Sequence, residues 1–194
     1  MLYAVLIVSA LLIALLLWVF VFQDIETPAY RVTHRHGAME LRDYPSMVVA
    51  EVRTAGSRRK AVQRGFRPLA AYIFASGRPG PRIAMTAPVT QRRLSGARDW
   101  VVRFIIPAEH QLADLPRPGP RHAVQLAELP PARRAALRFS GVATDARLAE
   151  AEGRLRSWLR SEGLPAEGPA EFAYYNDPMT PGFMRRNEVI VDLE

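Results

Sequence analysis

The sequence predicts an α+β fold, a mainly antiparallel sheet carrying two helices, and three observations point to it. Apolar residues alternate with period two along several short runs, two longer runs carry a helical stripe, and the order strand, glycine, helix, strand, strand occurs twice. The 49% hydrophobic content of 194 residues is enough for one domain with a sizeable core plus an extra segment.

That extra segment comes first. Leu2 to Phe22 is a 21-residue run without a charge. At ~1.5 Å per residue it is long enough to cross a ~30 Å hydrocarbon layer. It reads as a single transmembrane helix, residues 1–22, with Trp18 near one end. A signal peptide fits less well, because no Lys/Arg region precedes the run and no small-x-small site follows it. Gln23 to Ala29 reads as a linker and residues 30–194 as one soluble domain. Arg31, Arg35 and Arg42 after the helix favour a cytoplasmic domain, but charge bias weakens for long translocated segments, so the side of the membrane stays open.

Period-two alternation starts at once: Tyr30, Val32, His34 and His36 share one parity, Arg31, Thr33 and Arg35 the other, as in a half-buried strand. Val48, Ala50 and Val52 repeat the pattern against Glu51 and Arg53. Ser57 is a good N-cap for a helix with Val62, Phe66, Leu69 and Ile73 on its inner stripe, and Pro68 should kink it. The apolar run Ile83 to Val89 reads as a strand ending before Pro88, with Met85 in the core or lining a pocket. Val102, Phe104 and Ile106 alternate against Arg103 in the next strand, Val101 to Ile106. The second half repeats the order: strand Ala135 to Ser140, Gly141, a helix from Thr144 to about Ser161, strand Glu171 to Tyr175 before Pro178, and strand Glu188 to Leu193. The spans Gly56 to Tyr72 and Gly141 to Trp158 differ by one position, as a duplicated unit would. Proline-rich loops at 107–120 and 178–181 punctuate strands and do not divide domains.

Zero cysteines remove disulfides, thiolate metal sites and a cysteine nucleophile. The net charge of +7 is carried almost wholly by arginine, Lys60 being the single lysine, and the abundance of Ala, Gly and Pro makes genomic composition its main source. No groove-reading motif accompanies the arginines, so no nucleic-acid partner is expected.

Four segments then stand out in order. They are Glu40-Leu41-Arg42-Asp43-Tyr44, Gly65 to Phe74, Ile83-Ala84-Met85-Thr86-Ala87-Pro88-Val89, and Arg185-Arg186-Asn187-Glu188-Val189. Together they closely resemble the SOUL haem-binding family, over about Glu26 to Leu193. The resemblance implies a distorted barrel-like sheet flanked by two helices in pseudo-two-fold relation. It also implies a flat apolar site for haem or a related tetrapyrrole along the first helix and the loop after the Glu171 to Tyr175 strand. The matching positions are Phe66, Leu69, Ala70 and Phe74 on the helix and Tyr175, Asn176, Asp177, Pro178, Met179, Pro181 and Phe183 on the loop. Arg185, Arg186 or Arg67 would meet the propionates. Without the resemblance, Phe66 and Leu69 read as ordinary core residues of an amphipathic helix.

Some relatives carry a proposed histidine ligand between the Arg and Tyr of the first motif, where this chain has Asp43. That departure favours pocket binding without a strong axial ligand, or with Tyr44, His34 or Met179 as a substitute. His34 and His36 share a strand face but lack a third convergent ligand, and His110 and His122 flank a proline-rich loop and are expected to be solvated. Glu40 and Asp43 fall on opposite strand faces, against a paired-carboxylate site. No catalytic motif is present, so the expected activity is reversible ligand binding at a membrane, for buffering or transfer. The alternatives are a binding module for another flat amphipathic molecule and an enzyme acting on a tetrapyrrole or lipid.

Overall fold

The computed structural model describes residues 7–9, 11–13, 15, 25–94, 99–120 and 123–194. Nine strands run β1 (Arg31–His36), β2 (Met39–Tyr44), β3 (Met47–Ala55), β4 (Val89–Arg93), β5 (Asp99–Ile105), β6 (Gln125–Leu129), β7 (Ala132–Ser140), β8 (Ala166–Tyr174) and β9 (Arg186–Leu193). Two helices, α1 (Arg58–Ile73) and α2 (Asp145–Ser161), pack on the sheet. All pairings are antiparallel, in the order β1-β2-β7-β9-β8-β4-β5-β3-β6.

The duplication is visible in that order. β7-β9-β8 on one side mirrors β3-β5-β4 on the other, and each half runs strand, helix, strand, strand. β2 leads into β3 but pairs with β7, while β6 leads into β7 but pairs with β3, so each half lends a strand to the other. Gly56 and Gly141 turn the chain from strand to helix at φ 107° and 109°, a region closed to most L residues. In each half the last strand reaches back to seal that turn: Trp100 Nε1 donates to the Gly56 carbonyl at 3.0 Å and Asn187 Nδ2 to the Gly141 carbonyl at 2.7 Å. Trp100 pairs with Thr54 and Asn187 with Phe139, each two residues before its glycine.

The two outer cores lie under the helices. Leu69, Tyr72 and Ile73 of α1 pack with Val102 and Phe104, and Leu148, Leu155, Trp158 and Leu159 of α2 pack with Leu137, Val189 and Val191. The opposite face of the sheet is buried too. Residues from every strand between β2 and β9, among them Tyr44, Thr90, Arg103, Arg134, Glu171 and Ile190, line one cavity of about 20 Å³, so the sheet curls round it as a barrel does.

Several expectations need adjustment. The Ile83–Pro88 stretch is not a strand. Proline at 88 supplies no ladder donor, and the segment is tied instead as a loop by Ile83 N–H to the Ile73 carbonyl and Ala87 N–H to the Glu26 carbonyl. Met85 in it is exposed and not in the core. β1 is exposed along its whole length, because as the last strand of the sheet it has a neighbour on one side only. α1 runs through Pro68 without a break, and its buried stripe is Ala61, Gly65, Leu69, Tyr72 and Ile73, which rotates Phe66 outward. The Ser57 side chain makes no cap bond, whereas Thr144 accepts from Arg147 N–H. The expected transmembrane helix falls mostly on residues outside those described, and among the described residues no helix is long and apolar enough to cross a membrane. Glu26, within the stretch read as linker, is held to the domain by Ala108 N–H, which donates to its carboxylate at 2.8 Å.

Candidate functional site

The curled interior is charged, and it joins two of the motifs that mark the sequence. Arg42 makes a fork of hydrogen bonds to Glu188, at 2.7 and 3.1 Å, across 146 residues of sequence. Arg186 and the Tyr175 hydroxyl also donate to Glu188, Arg42 donates to the Tyr44 hydroxyl, and its guanidinium lies over the Tyr30 ring. Burial alone would raise the Glu188 carboxyl, but the hydrogen bonds and charge of Arg42 and Arg186 hold it below its ordinary range. Burial beside that carboxylate pushes the Tyr175 hydroxyl up. Arg92, Arg103 and Arg134 form ion pairs with Glu171, Glu51 and Asp192 at 3.1, 2.8 and 2.9 Å, of which only the Arg103–Glu51 contact is also a hydrogen bond. Sequence reasoning missed this cluster, since polar parity in a strand reads as a solvated face. The signal available was the coincidence of an Arg-bearing and a Glu-bearing motif at the two ends of the chain.

That interior is self-compensated and nearly full. A cavity of about 20 Å³ holds a water molecule, not a macrocycle. A flat ligand does not fit within it.

On the outside, α1 and the loop between β8 and β9 present apolar surface. Phe66, 39% exposed, stands edge-on to Phe104 with ring centroids 5.2 Å apart. Phe104 lies opposite Val89, and Val89 opposite Tyr174, the last residue before the loop. Two strand spacings, ~10 Å, therefore separate the Phe66 platform from the loop's root. One turn on, Ala70 is half-buried against the α1 core, and Phe74 at the helix end is exposed again, whereas Leu69 is fully buried and supports the helix from beneath.

The loop is braced by polar contacts and turns its apolar side chains out. Asp177 accepts from Met179 N–H, Thr180 N–H and the Thr180 hydroxyl, and these bonds outweigh its slight desolvation to hold its carboxyl below the usual range. Asn176 accepts from Arg186 N–H at 2.7 Å, and Arg185 donates to the carbonyls of Thr180 and Pro178. Pro178 and Pro181 are exposed on the same loop, and Met179 and Phe183 are 85% and 80% exposed. Large apolar side chains on a braced loop mark a binding surface.

The structure separates the other candidates. Arg185 and Arg186, expected to meet propionates, are occupied: one braces the loop, while the other pairs with Glu188 and lies 3.8 Å over the Tyr175 ring. Tyr175 points its hydroxyl into the barrel, at Glu188, and not toward Phe66 or the exposed loop side chains. His34 and His36 stack on Trp158, thirteen residues beyond the start of α2, while Val142 beside that start touches the loop at Gly182. At ~1.5 Å per residue the histidines lie roughly 20 Å from the loop. Tyr44 is buried and holds an arginine. Asp43 pairs with Arg31 on the outer face of β2, while Glu40 pairs with Arg42 on the inner one. Of the proposed iron ligands, only Met179 lies on the apolar loop after β8. No group of three His, Cys, Asp or Glu side chains suited to a metal occurs among the described residues, and His122 lies outside them.

The apolar surface along α1 and this loop offers no histidine. The second helix is a built-in control. Aligned by buried positions, Leu69, Tyr72 and Ile73 correspond to Leu155, Trp158 and Leu159; Phe66, Ala70 and Phe74 then correspond to Glu152, Arg156 and Arg160. One outer face is apolar and the other charged.

The model of the SOUL heme-binding protein family matches residues 25–192, and the chain belongs to that family. No curated protein matches the chain. Among solved structures, the C-terminal domain of EcmrR is similar at TM-score 0.62 and 12% identity, covering 85% of this chain and 98% of that one. A hydrolase from Listeria innocua is similar at TM-score 0.57 and 13% identity, covering 84% and 94%. At such identities the likeness concerns the fold alone.

Proposed function

We propose that this SOUL-family chain binds haem or a related tetrapyrrole reversibly in the groove between α1 and the loop after β8, for buffering or transfer at a membrane to which residues 2–22 anchor it. The single observation that carries the reading is the apolar stripe Phe66, Ala70, Phe74 on α1, set against the charged stripe at the matching positions of α2. A solvated surface helix has no reason to present two aromatic rings, and a macrocycle has an apolar face that needs them. With Arg185 and Arg186 engaged, the carboxylates of such a ligand turn to Arg59 and Arg67, exposed on α1 beside the stripe and without ion pairs among the described residues. Binding then rests on apolar contact, with Met179 the one side chain at hand for iron.

The six described large apolar side chains between Ile7 and Leu15 are all at least half exposed, which supports a role for that segment away from the domain core. The test is haem titration followed by the Soret band. Phe66→Asp and Phe183→Asp should each weaken binding, Arg59→Ala with Arg67→Ala should weaken it less, and no single histidine substitution should abolish it. Thermal unfolding of each variant separates lost binding from lost fold. Unchanged binding in a folded Phe66→Asp, Phe183→Asp double variant would sink the groove.

A further inference from the structure

The exposed apolar side chains are not scattered. Of the nine large ones exposed from residue 25 onward among the described residues, seven lie at one edge of the sheet, Phe66 stands over Phe104 beside it, and Val32 lies on β1. That edge is fixed by register. Val89 opens β4 opposite Tyr174, which closes β8, while Phe104 near the end of β5 faces Val89 and Asn187 at the start of β9 faces Tyr174. Beyond these four residues lie the loop with Met179 and Phe183, the segment with Met85, and the C-terminal end of α1 with Phe74, tied there by Ile83 N–H to the Ile73 carbonyl.

The amino-terminal segment reaches the domain at the same edge. Ala87 N–H donates to the Glu26 carbonyl and Ala108 N–H to the Glu26 carboxylate, and Ile25 beside them is exposed. From Phe22, the last residue of the uncharged run, to Glu26 is four Cα steps, a reach of at most about 14 Å. If residues 2–22 cross a bilayer, Glu26 at this edge cannot stand farther than that from its surface.

We propose that this edge is a membrane-docking face: Met179 and Phe183 dip into the bilayer beside the anchor, so that the groove between α1 and the loop opens onto lipid. The proposal rests on the groove reading above and names the route by which its ligand enters. A braced loop suits this task, because Asp177, Asn176 and Arg185 satisfy the polar groups near its backbone from within the loop and at its root, while its apolar side chains point outward. The occupant is a bilayer because an uncharged 21-residue run enters the domain at this edge, and a bilayer accepts rings and thioethers without shape complementarity.

The chain has no cysteine, so a single introduced one reports one site. The full chain carrying Met179→Cys, Phe183→Cys or Val32→Cys, spin-labelled and reconstituted in phosphatidylcholine nanodiscs, is read by collision with oxygen, which partitions into lipid, and with a water-soluble nickel chelate. The expected result is several-fold higher oxygen and lower nickel accessibility at 179 and 183 than at 32. These loop side chains are exposed, so the labels displace no core packing. Equal, aqueous values at all three sites would overturn the proposal, as would failure of the full chain to enter the nanodiscs. Haem titration of the unlabelled chain in the same nanodiscs separates the two ideas. Haem bound with aqueous loop labels removes the docking face and leaves the groove; immersed labels without haem binding remove the groove and leave the docking face.

Discussion

α1 and α2 begin after equivalent glycines, bury equivalent stripes and cover equivalent strands, yet they differ where packing does not decide. α2 carries Glu152 and Arg156 paired at 2.8 Å on its outer face, with Arg160 one turn on, the ordinary surface of a helix that meets water. α1 carries Phe66, Ala70 and Phe74 at those positions. On the inner faces, Gly65 stands where α2 has Ala151, and an added Cβ at 65 would come within 2.7 Å of Val102. α1 therefore sits closer to its sheet. A duplicated fold keeps what packing needs on both sides, so a difference confined to one outer face is the mark of a task that half performs.

The largest expected effect tests what the halves share. Glu188→Gln leaves Arg42 and Arg186 without their buried partner, and should cost about 3–5 kcal/mol of stability, read by denaturant unfolding. A loss below 1 kcal/mol, by the same scale, would mean that the strands alone join the halves. The same carboxylate sets a pH dependence. Its folded pKa lies below the unfolded value, so its contribution is present above the ordinary carboxylate range, ~4.3, and is lost as pH falls through the lower folded value. Unfolding midpoints should accordingly drop below about pH 4.3 in the natural chain and flatten there in Glu188→Gln.

Next comes the closer seat of α1. Gly65→Ala should destabilise by about 1–3 kcal/mol through overpacking against Val102, despite alanine's better helix propensity. Ala151→Gly in the other half should cost about 1 kcal/mol from propensity. Equal costs would show that the two seats are alike.

A smaller effect on stability carries the greater weight for function. Phe66→Glu with Ala70→Arg writes the outer face of α2 onto α1. It should cost no more than about 1.5 kcal/mol, the loss of one aromatic pair offset by a new ion pair, while haem binding falls sharply. Retained binding would show that the face difference is incidental. The smallest effect is expected for Asp177→Ala, about 1 kcal/mol or less, seen as faster amide exchange at Met179 and Thr180 with the sheet unchanged.

Much of this architecture was legible in the chain. Period-two runs placed β1, β3, β5 and β9, the repeated strand-glycine-helix order placed β7 and β8 and disclosed the duplication, and Thr144 and the leucine stripe set α2 nearly to the residue, whereas β4 begins only at Val89 and β6 was not expected. The uncharged 2–22 run stands out by composition alone. Local spacing determines such features because they depend on neighbours a few residues apart.

Tertiary structure decided the rest. Alternation told that β9 has two faces, but not that Glu188 and Asp192 pair with arginines of β2, β4 and β7 while Val189 and Val191 pack under α2. Helical spacing put Phe66 within reach of the core stripe, and only the close seat at Gly65 turned it outward. Arg185 and Arg186 looked available for a ligand until the loop carbonyls and Glu188 were seen to hold them. In each case the outcome depends on which surface a distant segment covers, and a residue's own neighbourhood in sequence does not contain that information.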